Sequence, residues 1–436
     1  MHRMTRRRRY RLSKGIVLLA GLVGLGAACG DDPSTTPGAI EPAPLPDPQV
    51  PGYSFPETES AIYGWVENGD ASSVALHAWG LWAALTAETE QVVDGQRLRV
   101  FETWLTPSDI ITDAQDTARD LRPTATLNQH SATSTTVDAR ITGFVKYDPS
   151  ASDFAQTNDL FSQAALNQLI VDGARDIPAF PNTAVTLKPV FMKLSKAAGQ
   201  YQQVPAWPGP PDPVKAFPPK DWGQCIWIDL NDSGAGAAQG GVDTTCTEGS
   251  RSDATTYGLG RFVSFVDGDT VYVLKAMHVT TKETTRWTWQ TYWWTPNPDA
   301  PHPPSSASIA AARPAQLTGA PANYAHCSSY QMVDPVQPET GGMNAGQPVY
   351  CYNPWLEAEF KSSDLPNSTP LAGAANDVGV QTNCMSCHAY ASWSKDKVED
   401  TQSKFYTGDR YVDLQSTEFD GLLRLDFAWS IQQNAK

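Results

Sequence analysis

Positive charge is scarce once the first 28 residues are set aside. The 436-residue chain has 32 Lys and Arg against 47 Asp and Glu, and seven of the basic residues (Arg3, Arg6, Arg7, Arg8, Arg9, Arg11 and Lys14) precede Gly15. The remainder sets 25 basic against 47 acidic residues. Such a surface repels nucleic acid and anionic lipid, excludes a nucleic-acid partner, and suits a basic protein partner. Beyond residue 28 no run approaches the 18 apolar residues of a membrane-spanning helix. There is no internal repeat, G-x-S-x-G elbow, phosphate-binding loop, HExxH pair or dinucleotide fingerprint, which removes the sequence grounds for those enzyme classes. Histidine and methionine number only seven each, and neither occurs in the 48 residues after His388.

The basic stretch from Arg3 to Lys14 runs into the apolar segment Gly15–Ala28. That segment is shorter than the roughly 20 residues needed to span a bilayer, so residues 1–28 predict a cleaved export signal. Gly26, Ala27 and Ala28 lead to Cys29, and this pattern resembles the bacterial lipobox, although Gly26 stands where Leu is usual. The resemblance implies diacylglycerol on Cys29 and insertion into a lipid membrane. Gly30, rather than Asp, follows Cys29, which favours the outer membrane over the inner. Residues 29–56 are rich in Pro, Asp and Ser and predict an extended tether.

The seven cysteines are Cys29, Cys225, Cys246, Cys327, Cys351, Cys384 and Cys387. The last two stand in NCMSCHAY, where Cys384, Cys387 and His388 form C-x-x-C-H, the attachment sequence for c-type haem. Two thiols three residues apart on one helical turn reach two vinyl groups of a single porphyrin, and the adjacent imidazole binds the iron from the proximal side. Zinc binding would need a second close pair of ligands, and a dithiol redox site would give no reason for His388. The cofactor expected is therefore one covalent haem c. Four cysteines remain for two disulfides; proximity favours Cys225–Cys246 and Cys327–Cys351 among three possible pairings.

Because neither Met nor His follows His388, any sixth iron ligand must come from upstream, and the haem must be built into a larger domain. Candidates are His278, Met343 and Met332, ahead of His77, His130, His302, His326, Met192 and Met277. His77 lies in VALHAWGLWAAL and reads as a satisfied core histidine. His278 closes RFVSFVDGDTVYVLKAMHV, a predicted hairpin around Asp267-Gly268, with Tyr272, Leu274 and Ala276 on its face. RWTWQTYWW (286–294) predicts the next strand, with Trp287, Trp289 and Trp293 on one face, so an indole wall beside His278 could line the haem.

The 34 prolines, 32 glycines and 14 tryptophans predict an α+β chain, with a β-rich core of antiparallel strands, flanking helices and a C-terminal helical haem-attachment segment, not a stand-alone small cytochrome c fold. Helices are expected at 73–86, 109–120 and 158–171. Strands are expected around VFETW (100–104) and near 184–194, 223–230, 260–267, 270–279 and 286–294. A β-rich domain (57–300) and a haem-bearing part (301–436) are expected to share one core. The patches AWGLWAALTAE with FETW (78–104), MHVTTKETTRWTWQTYWW (277–294), NCMSCH (383–388) and LDFAWSI (425–431) resemble an uncharacterised family of exported bacterial proteins, some described as cytochrome c family lipoproteins. The functional expectation is electron transfer in the periplasm or cell envelope, with a periplasmic redox partner. The alternatives are a haem enzyme or small-ligand sensor with an open iron position, aided by a carboxylate such as Glu102 or Glu283, and a ligand-binding module serving a partner oxidoreductase.

Overall fold

A computed structural model describes residues 40–112, 138–361, 364–365, 381–395 and 407–436. The export signal, Cys29, the first part of the tether, His130 and most of the helix expected at 109–120 lie outside the described residues. Residues from Ala39 to Lys436 form one compact unit, with no division near residue 300.

Helix α1 (Glu59–Glu67) is capped by the Thr58 hydroxyl, and α2 (Ala71–Thr86) by the Asp70 carboxylate, which accepts from the Ser73 amide at 3.0 Å. Ten of the sixteen residues of α2 are buried, so this helix is enclosed rather than amphipathic.

The core is a seven-stranded antiparallel sheet: β1 (Ile141–Gly143), β2 (Lys146–Tyr147), β3 (Val185–Ser195), β4 (Ser264–Asp267), β5 (Thr270–Thr281), β6 (Thr288–Trp294) and β7 (Tyr324–Ser328). The spatial order is β7-β6-β5-β3-β1, with β2 also on β3 and β4 also on β5. Val, Thr and aromatic residues dominate the central strands β5 and β6, as a pleated surface covered on both sides requires. The α+β class and the β-rich antiparallel core stand as expected from composition.

Four local expectations change. VFETW begins as a 3-10 turn, Val100–Thr103, with the Glu102 side chain accepting from the Arg99 amide, so its apolar residues mark a buried turn. The helix expected at 158–171 starts later, at Gln163, because Ser162 offers the N-cap; a separate helix, Pro149–Thr157, precedes it. Residues 40–56 are not a free tether: Ala43 accepts from the Trp104 indole at 2.8 Å, Ala43 N donates to Thr103, and Val50 is buried. Trp287 precedes β6 with φ 62°, so strand alternation does not set its side chain.

The hairpin alternation is also reset. On β3, Leu274 pairs with Phe191 while Ala276 pairs with Val190, so Lys275 is an extra residue in a bulge. Neighbours along β3 face opposite ways, so Tyr272 and Leu274 fall on the face opposite Ala276 and His278. The Lys275 ammonium is fully buried with no hydrogen-bond partner among the described residues, between the rings of Trp294 and Trp355 at 4.8 and 4.7 Å.

Candidate functional site

Registered pairs share a face, so one row crosses the sheet: Lys188 on β3, His278 on β5, Thr291 on β6 and Cys327 on β7. Met277, Tyr292 and His326 form the adjacent row on the other face. There Tyr292 stacks on Trp82 of α2 at 4.4 Å and His326 meets Trp79 edge-on at 4.5 Å.

The C-x-x-C-H turn lies over the first of these rows. Helix α3 (Cys384–His388) is capped by Asn383, whose Oδ1 accepts from the Ser386 amide at 3.0 Å. Met385 and Ser386 are buried, while Cys384, Cys387 and His388 stay partly exposed, so one turn turns its two thiols and its imidazole to the more open side. Neither thiol forms a disulfide among the described residues. Burial pushes both up, Cys387 to about 12, with Glu357 adding to the effect. A dithiol redox centre needs a lowered thiol, so the trend runs against that chemistry.

Two devices hold the turn. Cys327 and Cys351 are disulfide-bonded; Cys351 N donates to Thr382 O at 2.9 Å, and Cys351 forms a bridge with Asn383. The residues before Cys384 are thereby tied to β7. The second device is the C-terminal segment LDFAW, in which Asp426 and Phe427 both have left-handed backbone, with φ 47° and 68°. This conformation is costly for residues other than Gly, and it is held here by Asp426, whose carboxylate accepts from Lys282 Nζ at 2.6 Å and Phe180 N at 3.1 Å. The turn presents Phe427 O to His388 Nδ1 at 2.8 Å. Nδ1 therefore carries the proton, and Nε2 has no hydrogen-bond partner among the described residues. Burial, with smaller contributions from His278 and Lys188, holds His388 down at about 4, so the imidazole is neutral, as an iron ligand must be. Trp289 lies against it at 4.3 Å between ring centroids.

His278 lies within electrostatic reach of His388, and its Nε2 meets Glu357 Oε1 at 2.8 Å. Glu357 also accepts from Asn353 N, while Asn353 Nδ2 donates to Thr291. The Met332 sulfur accepts from Val412 N at 3.2 Å in the core, and Met343 is 71% exposed on a loop. His326 belongs to the α2 face, His302 is exposed, and Met192 and Met277 are fully buried. His77 is a satisfied core histidine, paired with Tyr330 OH at 2.6 Å and Glu283 at 3.1 Å.

No family model, curated protein or solved structure matches this chain.

Among the described residues no helix is long and apolar enough to cross a membrane, and no group of three His, Cys, Asp or Glu is set to hold a metal ion. Cys225 and Cys246 are also disulfide-bonded, beside Asp243, which accepts from the Trp227 indole. Three features of the site were not anticipated from sequence: Phe427 O, Glu357 and Lys188. The LDFAWSI patch held the first of these, but nothing in its composition revealed a left-handed turn. Glu357 and Lys188 resemble ordinary surface charges until strand register places Lys188 opposite His278.

Proposed function

We propose that this chain is an exported, lipid-anchored monohaem c-type cytochrome that transfers electrons in the cell envelope to or from a basic redox partner. The observation that carries the reading is one helical turn holding two thiols, neither in a disulfide among the described residues, and a neutral imidazole whose Nδ1 is fixed by Phe427 O at 2.8 Å. That second bond is what a proximal iron-binding histidine needs for its tautomer and orientation. Cys384 and Cys387 would hold haem through thioethers, and His388 would bind its iron. The bound group supplies reversible one-electron chemistry. The protein's own part is to orient His388 through Phe427 O, to cover it with Trp289, and to set ionisable groups (Lys188, His278, Glu357) near the turn.

A second reading, an enzyme or sensor with an open iron position, draws on the engagement of the distal candidates. The His278 Nε2 is taken by Glu357 and the Met332 sulfur by Val412, while Met343 projects from a loop.

The deciding experiment is the visible spectrum of the reduced protein, made with cytochrome c maturation factors, before and after carbon monoxide. Sharp α and β bands unmoved by the gas support electron transfer. A Soret band that shifts with carbon monoxide moves the open-site reading ahead. A chain that acquires no covalent haem, and behaves like Cys384→Ser/Cys387→Ser, sinks both.

A further inference from the structure

Three side chains on the α2 face form a hydrogen-bonded chain that the site around α3 does not use. They are Tyr330, just beyond β7, His77 of α2, and Glu283, just beyond the end of β5, and all three are buried. Tyr330 OH lies 2.6 Å from His77 Nδ1, and His77 Nε2 lies 3.1 Å from Glu283 Oε1. Glu283 Oε1 also accepts from Glu57 N at 2.6 Å, and its Oε2 accepts from the Thr281 hydroxyl. A carboxylate that already accepts from Glu57 and Thr281 takes the His77 Nε2–H as a further donor, which leaves Nδ1 as the acceptor for Tyr330 O–H. Burial raises the Tyr330 hydroxyl well above the ordinary tyrosine value, with Glu283 adding to the effect, so the phenol keeps its proton at neutral pH.

Loss of one electron reverses that preference. An oxidised phenol is a strong acid, and in a buried site its electron leaves readily only when the proton leaves too, so a base within hydrogen-bond reach selects the tyrosine that can react. Nearby tyrosines lack such a base. Tyr53, whose ring centroid lies 5.7 Å from that of His77, has a buried hydroxyl with no hydrogen-bond partner among the described residues. Tyr292 and Tyr324 donate to backbone carbonyls. Tyr63 and Tyr390 donate to Glu339 and Glu418, carboxylates that are weaker bases than imidazole. Tyr330 is also linked to the α3 site through the backbone: Ser329 N donates to Trp289 O at 2.7 Å, and the Trp289 ring lies against His388 at 4.3 Å.

We propose that Tyr330 is a redox-active tyrosine: a strong one-electron oxidant takes an electron from its ring while the hydroxyl proton passes to His77 Nδ1, and Glu283 holds the imidazolium so formed. The O–H bond breaks and an N–H bond forms at His77. The products are the neutral Tyr330 radical, protonated His77 and the oxidant reduced by one electron; a returning electron sends the proton back. The use of Tyr330 as a second one-electron donor behind Trp289 rests on the cytochrome reading above, whereas the tyrosine chemistry itself does not.

Photogenerated ruthenium(III) tris-bipyridine serves as the oxidant, and electron paramagnetic resonance of rapidly frozen samples reads the radical. Both the full chain with its haem held ferric and the haem-free Cys384→Ser/Cys387→Ser form give a long-lived neutral tyrosyl signal that narrows with ring-deuterated tyrosine. Tyr330→Phe, which removes only the hydroxyl, loses most of that signal, whereas Tyr53→Phe keeps it in full. His77→Gln, which keeps a hydrogen-bonding side chain but no base, slows radical formation at least about a hundredfold. Should that variant lose its cooperative melt, the parent protein in deuterium oxide takes its place, and there the radical forms more slowly than in water. A signal undiminished in Tyr330→Phe, or no long-lived tyrosyl radical in either form, overturns the proposal. An unchanged rate in folded His77→Gln or in deuterium oxide overturns the proton transfer to His77. A chain that takes up no haem yet forms the radical leaves this proposal standing and removes only the cytochrome reading; haem uptake without the radical does the reverse.

Discussion

The two faces of β5 and β6 divide the work of the molecule. On the α2 face, large rings close the core and their polar atoms end on backbone: Trp79 on Ile309 O, Trp82 on Pro321 O and Tyr292 on Ala78 O. On the α3 face the same strands present His278 and Thr291, flanked by Lys188 on β3 and the disulfide cysteine Cys327 on β7, and the groups above them stay partly exposed. Adjacent residues such as Met277 and His278 thus serve opposite ends: one removes apolar surface from water, the other keeps an ionisable group available. Stability and chemistry are separable here because a strand alternates.

Substitutions on each face should confirm or break that separation. Trp82→Ala, on the closed face, should cost about 3–5 kcal/mol in urea unfolding through the cavity it leaves, with haem content per folded molecule unchanged. A parallel loss of haem would mean that the faces are not independent. Cys327→Ser/Cys351→Ser should cost about 2–4 kcal/mol and also lower the yield of covalent haem, since the disulfide serves both the sheet and the segment before Cys384.

Lys275, the bulge residue that resets the alternation, gives a test by pH. Burial pushes its ammonium down to about 7, with Arg140 adding to the effect, whereas the unfolded chain titrates it near the ordinary lysine value. Between those values the unfolded state binds a proton that the folded state does not, so this group destabilises the fold most at and below pH 7. The penalty fades as pH rises towards about 10. Lys275→Met should therefore stabilise the protein by about 2 kcal/mol at pH 7, with the advantage shrinking on the alkaline side; thermal melts at pH 7 and 9.5 would show it. The smallest effect on stability belongs to His278→Gln on the open face, under about 1 kcal/mol, because the His278–Glu357 pair is partly solvated. Its signature should be a changed reduced spectrum or midpoint potential. A large loss of stability with an unchanged spectrum would place His278 among the structural residues.

Much of the sheet was legible because its strands are long, β-branched and aromatic: 184–194 and 270–279 fall almost on β3 and β5. The error at VFETW has a clear cause, since an apolar run of that length fits a buried turn as well as a strand. Lys275 shows a different limit. One inserted residue inverts every face assignment before it, and no local pattern marks the insertion. At the site, the sharing of one turn by Cys384, Cys387 and His388 was readable from spacing, whereas Phe427 O and Glu357 were not. Their roles depend on a backbone carbonyl and on a contact 79 residues distant in sequence.

The hydrogen bond from His388 to Phe427 also has a consequence for timing. The carbonyl that orients the imidazole lies 39 residues after it in the chain. On the function proposed above, a chain emerging from an export channel N-terminus first would present both thiols and the imidazole while the imidazole is still free to rotate. The C-x-x-C-H sequence is thus complete before its geometry is, and the turn at Asp426 and Phe427 then fixes the imidazole.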